Sequence, residues 1–198
     1  VRTVVGKGQG VFALCDIPRG TRIIAESALL KIGKEGASFT HKVVRAFNSL
    51  PASQQKSYLQ LHAFACDALK RMTKDQMGRD WSTLTHMQRK VLAVYQTNNF
   101  GDSVVLLGSR INHSCIPNTE AAYSLELDKE TFNAVRDIAA GEELTLSYIH
   151  GVNLAKSERQ KLLKKWGFTC TCLACTDTSE ERQRESEGDG DYSRALDA

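Results

Sequence analysis

The chain has 198 residues, 41% of them hydrophobic, which is enough for one well-buried domain and too few for two large ones. Its formal charge of +3 is unevenly spread: from Thr176 to the C-terminus there are eight acidic and three basic residues, a net of −5, so the remainder carries about +8. Without a clustered basic stripe that excess makes no case for nucleic acid, no apolar run approaches the length of a membrane span, and the N-terminus VRTVVGKGQGVF lacks the charged-then-apolar order of a signal peptide.

In chain order, GVFALCDIPRGTRIIAESALLKI consists of short apolar runs broken by Asp16-Ile17-Pro18-Arg19-Gly20, and reads as strand, turn, strand, strand. From His41 the period changes. Tyr58, Leu61, Ala65, Ala68, Leu69 and Met72 follow helical spacing behind Pro51, and Leu84, Met87, Val91, Leu92 and Tyr95 do so again, which predicts a helical insert over 41–97. Strand patterns resume at Val104–Leu107. A hairpin follows, AAYSLELD and TFNAVRDI, turning near Asp128-Lys129-Glu130, and then a short strand, LTLSY. Asn153 is placed to cap a last helix through Trp166. The tail from 177 to 198 holds too little apolar surface to offset its ordering entropy and is expected to be disordered. The whole is a soluble protein, or a piece of a longer one.

Three of the six cysteines crowd into CTCLAC at 170–175, a spacing that favours a metal in a reducing compartment over a secreted disulfide framework. Cys170, Cys172 and Cys175 bend around one ion; tetrahedral zinc needs a fourth ligand, for which Cys15, Cys66, Cys115, His150 and Asp177 are candidates. Cys15 lies in an apolar strand pattern and Cys66 on a helix among alanines, where buried free thiols are the rule. Cys115 sits in a polar loop, SRINHSCIPNTE, and is the choice. GKGQG at 6–10 lets backbone approach a ligand closely, but it is no dinucleotide motif, since a strand follows it and not a helix. Taken alone, His113 reads as a hydrogen-bonded structural histidine and Tyr148, at the end of GEELTLSY, as a core or rim residue.

Taken together and in this order, GKGQGVFALCDIPRGTRI, RINHSCIPN, GEELTLSYI and WGFTCTCLAC closely resemble the motifs of the SET-domain lysine methyltransferases, most nearly the SET-and-MYND group and its fungal relatives. The resemblance covers residues 5–176 and lacks the MYND module. It implies a β-rich α+β fold: a SET domain over 1–150 built from several small sheets with a knot-like crossing of the chain, then a helix and a zinc-binding post-SET segment over 151–176. It implies S-adenosylmethionine as cofactor, contacted by Lys7, Gly8, Gln9, Gly10, Asn98, Asn112, His113, Tyr148, Trp166 and Phe168, with Tyr148 as the catalytic residue. It further implies one structural zinc on Cys115, Cys170, Cys172 and Cys175. SRINHSCIPNTE would then serve two ligands, Asn112 and His113 facing the cofactor and Cys115 pointing the other way. The expected partner is a histone or non-histone protein carrying a target lysine, met in the nucleus or cytoplasm by a monomer that binds neither nucleic acid nor membrane. The alternative is a SET-derived, zinc-containing binding module without chemistry.

Overall fold

The computed structural model describes residues 1–33, 38–149 and 154–176. Four small sheets and two groups of helices make up this part of the chain. Strands β1 (Arg2–Val4) and β2 (Gly8–Gly10) form an antiparallel hairpin closed by the Lys7 N–H on Val4 O at 3.1 Å. β3 (Arg22–Glu26) follows the predicted turn, and β4 (Leu30–Lys31) leads into the helices.

α1 (Phe39–Asn48) buries Thr40, Val43 and Phe47, one face at helical spacing. α2 (Ala52–Leu59) follows Pro51 and buries Tyr58, whose hydroxyl donates to Val91 O at 2.9 Å. α3 (Asp67–Met77) stops at Gly78 in the left-handed conformation. α4 (His86–Asn98) starts at a capping box between Thr85 and Gln88 and is buried over nearly its whole C-terminal half. The helical period from Tyr58 to Met72 is therefore not one helix. It is interrupted over 60–66, where the Thr97 hydroxyl and the Asn98 amide both donate to His62 O, at 2.8 and 2.7 Å. A tertiary anchor at the end of α4 outweighs local propensity there. Cys66, expected within a helix, stands at its N-cap.

After α4 come β5 (Asn99–Phe100) and β6 (Ser103–Val104), in a sheet of order β4-β6-β5. The strand expected to run to Leu107 ends early because Glu26 takes up the next amides: its carboxylate accepts from the N–H groups of Leu106, Leu107 and Gly108 at 2.8 to 3.0 Å. β7 (Asn112–His113) follows, then the hairpin of β8 (Thr119–Ser124) and β9 (Lys129–Ala134), which pairs with β3 in a sheet of order β3-β9-β8. β10 (Thr145–Leu146) runs parallel to β7, in register Thr145 to Asn112 and Leu146 to His113. α5 (Lys156–Leu163) and a final turn, α6 (Leu173–Thr176), close the described chain. Ala155 stands at the N-cap of α5; Asn153, the expected cap, lies outside the described residues, as does the tail from 177.

Three apolar clusters result. One packs the four helices together, around Leu92, Val94, Tyr95 and Phe47. A second joins the sheets around Phe132, Ile138 and Leu144. The third is small, with Leu163, Cys170 and Cys175 buried and Tyr148, Trp166 and Phe168 packed on them. The C-terminal segment thus has almost no hydrophobic core of its own.

Candidate active site and four-cysteine cluster

The parallel pair β7–β10 brings the expected site residues into two adjoining groups. In the first, the glycine turn meets Asn112. The Asn112 amide donates to Gln9 O at 3.1 Å and to Glu143 Oε1 at 2.7 Å, and Lys7 Nζ lies 3.3 Å from Glu143 Oε2. Gly10 permits this approach: a Cβ there would fall 2.7 Å from Glu143 Oε1 and 3.1 Å from Asn112 Nδ2. Gly8, by contrast, has nothing within 4 Å of that position and leaves its side of the turn open.

The second group is aromatic. Tyr148 packs against Trp166, His113 and Phe168, with ring centres 5.2, 5.3 and 6.2 Å away. Its hydroxyl donates to Ile111 O at 2.6 Å, and burial pushes the phenol pKa up, so the group stays protonated. Trp166 donates its indole N–H to Thr97 O at 3.1 Å, tying the C-terminal segment to the end of α4. Gly167 next to it takes a left-handed conformation with Phe64 where a Cβ would be, 2.4 Å away, so this junction admits no side chain. Asn98 lies close by but is buried, its amide committed to His62 O and Val94 O at 2.7 and 2.6 Å.

The sulfur atoms of Cys115, Cys170, Cys172 and Cys175 all lie within 4.8 Å of one another. Cys115 is 3.9 Å from the Cys170 sulfur and 3.5 Å from that of Cys175. These separations are far beyond a disulfide of about 2.05 Å. They are close to the edge of about 3.8 Å expected when four sulfurs surround zinc at about 2.3 Å each. Cys15 is exposed, not buried as its apolar neighbours suggested, and Cys66 is half-buried; neither joins the cluster. His150 and Asp177 lie outside the described residues.

Each sulfur also has an N–H group facing it. The Cys115 amide points at Cys172 Sγ (3.4 Å), the Cys172 amide at Cys170 Sγ (3.5 Å), and Arg159 Nη2 at Cys175 Sγ (3.6 Å). The fourth is His113. Its Nδ1 accepts the Tyr148 N–H at 3.0 Å, so in the neutral ring Nε2 carries the proton and directs it at Cys115 Sγ, 3.4 Å away. Burial, with Arg159 and Lys7 nearby, lowers the His113 pKa to about 4 and keeps the ring neutral. Burial raises the Cys170 thiol to about 11. At Cys172 burial acts the same way, but the hydrogen bonds from the Cys115 amide and neighbouring thiols outweigh it and bring the thiol to about 7. His113 and Cys115 therefore do not point apart, as expected from the loop reading. β7 ends at His113 and Cys115 lies in the bend that follows, which brings its sulfur to the His113 ring, while the Asn112 amide reaches Gln9 O.

A family model for the SET domain matches residues 8–149. The chain belongs to the SET-domain family. It is 33% identical over 174 residues to the histone-lysine N-methyltransferase set5 of Schizosaccharomyces pombe, covering 87% of this chain and 49% of that protein. SET5 of Yarrowia lipolytica, also named a histone-lysine N-methyltransferase, is 29% identical over 151 residues, 76% of this chain and 33% of the relative. The histone-lysine N-methyltransferase ATXR2 of Arabidopsis thaliana is 40% identical over 80 residues, 39% of this chain and 16% of its own length. The chain spans about half the length of the first of these relatives or less.

Within this SET domain, several residues that position the site escaped sequence reasoning. Asn118 is almost wholly buried and stitches the RINHSCIPN segment to GEELT: its amide donates to Glu143 O at 2.8 Å and Glu142 Oε1 at 3.0 Å, and its carbonyl accepts from the Thr145 N–H at 2.7 Å. Glu142 in turn pairs with Arg136 at 2.5 Å, which holds its pKa down at about 2. Glu26 fixes the turn before β7, and Glu143 occupies Asn112 and Lys7. Asn118, Glu142 and Glu143 stand inside the quoted motifs, so a signal for them existed. Glu26 meets its amides about eighty residues on, and no local pattern announces that. Two clefts lie elsewhere, about 450 Å³ between β4 and α1 and about 250 Å³ beside β9, and neither includes a residue of the two groups above.

Proposed function

We propose that this chain is the catalytic part of an S-adenosylmethionine-dependent protein-lysine N-methyltransferase, with a histone as the first substrate to try and the nucleus as the place of action. Membership of the SET family and the fungal relatives named for histone-lysine methylation support the reaction class. The single observation that carries the reading is the junction of the open glycine turn, Asn112 and the Tyr148–Trp166–Phe168 cluster through one two-residue parallel strand pair.

The residues fit the cofactor. Lys7, Gly8, Gln9 and Gly10 offer a backbone edge with an open side at Gly8, the Asn112 amide lies against it, and Trp166 and Phe168, the latter packed on the His113 ring, supply flat apolar surface. The cofactor supplies an electrophilic methyl group on a sulfonium. This chain's part is to align a neutral amine with that methyl and exclude water. An aromatic channel disfavours a lysine's ammonium form by desolvation. Tyr148 is no base, since its phenol is held protonated; with its proton committed to Ile111 O, its oxygen lone pairs can accept an amine N–H and aim the nitrogen lone pair. Asn98, whose amide is spent on backbone, takes the supporting part of fixing the α4 end behind Trp166.

The four cysteines fit zinc by donor chemistry and by spacing, and the small third core gives the C-terminal segment a reason to need a metal. We read residues 1–150 as the SET domain with a helical insert over 41–97, and 151–176 as a post-SET zinc segment. The parallel β7–β10 pairing beside Asn118 supports a knot-like crossing there. The test is transfer of labelled methyl from S-adenosylmethionine to core histones and to a proteome extract. Incorporation at lysine that needs the Tyr148 hydroxyl supports the reading; no incorporation, and no cofactor binding by calorimetry, overturns it.

A further inference from the structure

Four thiolates around a divalent cation carry a net charge of −2, and Cys170 and Cys175 are 6% and 5% exposed. Charge at such depth needs compensation. Three of the four N–H groups that face the sulfurs are neutral: the amides of Cys115 and Cys172, and the His113 imidazole. The fourth belongs to Arg159, the one that brings a full positive charge. α5 presents Arg159 to the cluster, and the guanidinium is fixed there from both ends: Nη1 donates to Leu154 O at 2.7 Å, Nη2 to Ala174 O at 2.9 Å. Its Nε is buried and has no partner among the described residues. A half-buried guanidinium whose Nε is shut off from water with its donor unmet is unfavourable unless an anion lies against it. Gln160, the next residue, grips the Cys170 backbone from both sides, donating to its carbonyl at 2.8 Å and accepting its N–H at 3.0 Å.

We propose that Arg159 is the charge-compensating positioning residue of the four-cysteine metal site, and that α5 serves as the platform holding that site in a metal-ready shape. This rests on reading the cluster as a zinc site. Hydrogen bonds to metal-bound groups from such outer partners alter affinity by about 10- to 100-fold. Arg159→Lys keeps the charge as a point ammonium, Arg159→Gln keeps a donor without charge, and Arg159→Met keeps only an apolar stem.

The experiment is competition for Zn²⁺ between the chain and a chromophoric chelator, with Co²⁺ substitution read by absorption. Arg159→Gln and Arg159→Met are expected to bind zinc about tenfold or more weakly, and Arg159→Lys to stay within a few-fold of wild type. The sulfur-to-cobalt charge-transfer band is expected to move to longer wavelength in the uncharged variants alone, because a cation beside a thiolate stabilises the sulfur lone pair. A merely structural arginine would not move that band in step with charge. Equal zinc affinity in Arg159→Gln and wild type, or an unmoved band, overturns the proposal; if Arg159→Met does not fold, the Gln–Lys pair decides alone. Failure of the wild type to take either metal is a separate result and removes the zinc reading itself.

Discussion

Tyr148 illustrates how one side chain can be held by three independent constraints. Its hydroxyl is bonded to Ile111 O, its backbone N–H to His113 Nδ1, and its ring lies between Trp166 and Phe168. Tyr148→Phe removes only the first of these. The variant is expected to fold and to bind S-adenosylmethionine as the wild type does, while methyl transfer falls by about a hundredfold or more, the size of a lost transition-state contact. Calorimetry and a radiolabel assay on the same preparation separate the two. Asn118 is the structural counterpart. Asn118→Ala would leave the part-buried Thr145 N–H and Glu143 carbonyl without a partner, at about 1–3 kcal/mol for each such group. A fall in unfolding free energy of about 2–4 kcal/mol in urea is expected on that basis. If stability were unchanged, the stitch between the two motifs would not be a stabilising one.

At the level of elements, β9 has partner strands on both sides, and its Glu130 is a buried carboxyl. Burial holds its pKa above the ordinary carboxylate range, against the opposing hydrogen bond from Ser103 at 3.3 Å. A raised folded-state pKa stabilises the protein below the unfolded-state value, and that stabilisation is lost as pH rises through the folded-state value. Glu130→Gln removes the charge that the fold disfavours. The variant is therefore expected to melt higher than wild type at neutral pH, with the difference shrinking to nothing as pH falls below the ordinary carboxylate range. Paired thermal melts at acid and neutral pH check the sign; a variant less stable at neutral pH would mean that the Ser103 bond outweighs burial.

Across the whole molecule, the C-terminal segment is held by contacts that run back to two other regions. Trp166 and Gly167 press on the end of α4 and on Phe64, and the cysteines reach Cys115, more than fifty residues earlier. Loop closure on that scale costs only a little more than a short one, and a structural zinc supplies enough free energy to offset it. Chelation, or Cys175→Ser, is expected to weaken S-adenosylmethionine binding and abolish methyl transfer. The β3-β9-β8 sheet and the helical cluster, which have cores of their own, should stay folded by circular dichroism. Cys115→Ser should behave the same way. Cys15→Ser and Cys66→Ser should keep one zinc per chain, since neither sulfur lies in the cluster. Zinc loss in either of those two would move the fourth ligand away from Cys115.

The sequence by itself determined the family, because the order and spacing of GKGQG, RINHSCIPN, GEELTLSY and CTCLAC are chemical requirements written in short local runs. It also singled out the helix-forming stretches and the one cysteine, in a polar loop, whose sulfur stands with the CTCLAC sulfurs in space. Only the tertiary structure decided the rest. The break between α2 and α3 depends on Thr97 and Asn98 reaching His62 O, and the early end of β6 on Glu26 reaching amides about eighty residues away. The side chain of His113 meets Cys115 because the chain bends directly after β7 and Tyr148's N–H fixes the ring. Arg159 meets Cys175 only once α5 is packed beside it. Each of these is a hydrogen bond or close approach between distant segments, and no local pattern encodes a partner that only the fold brings near.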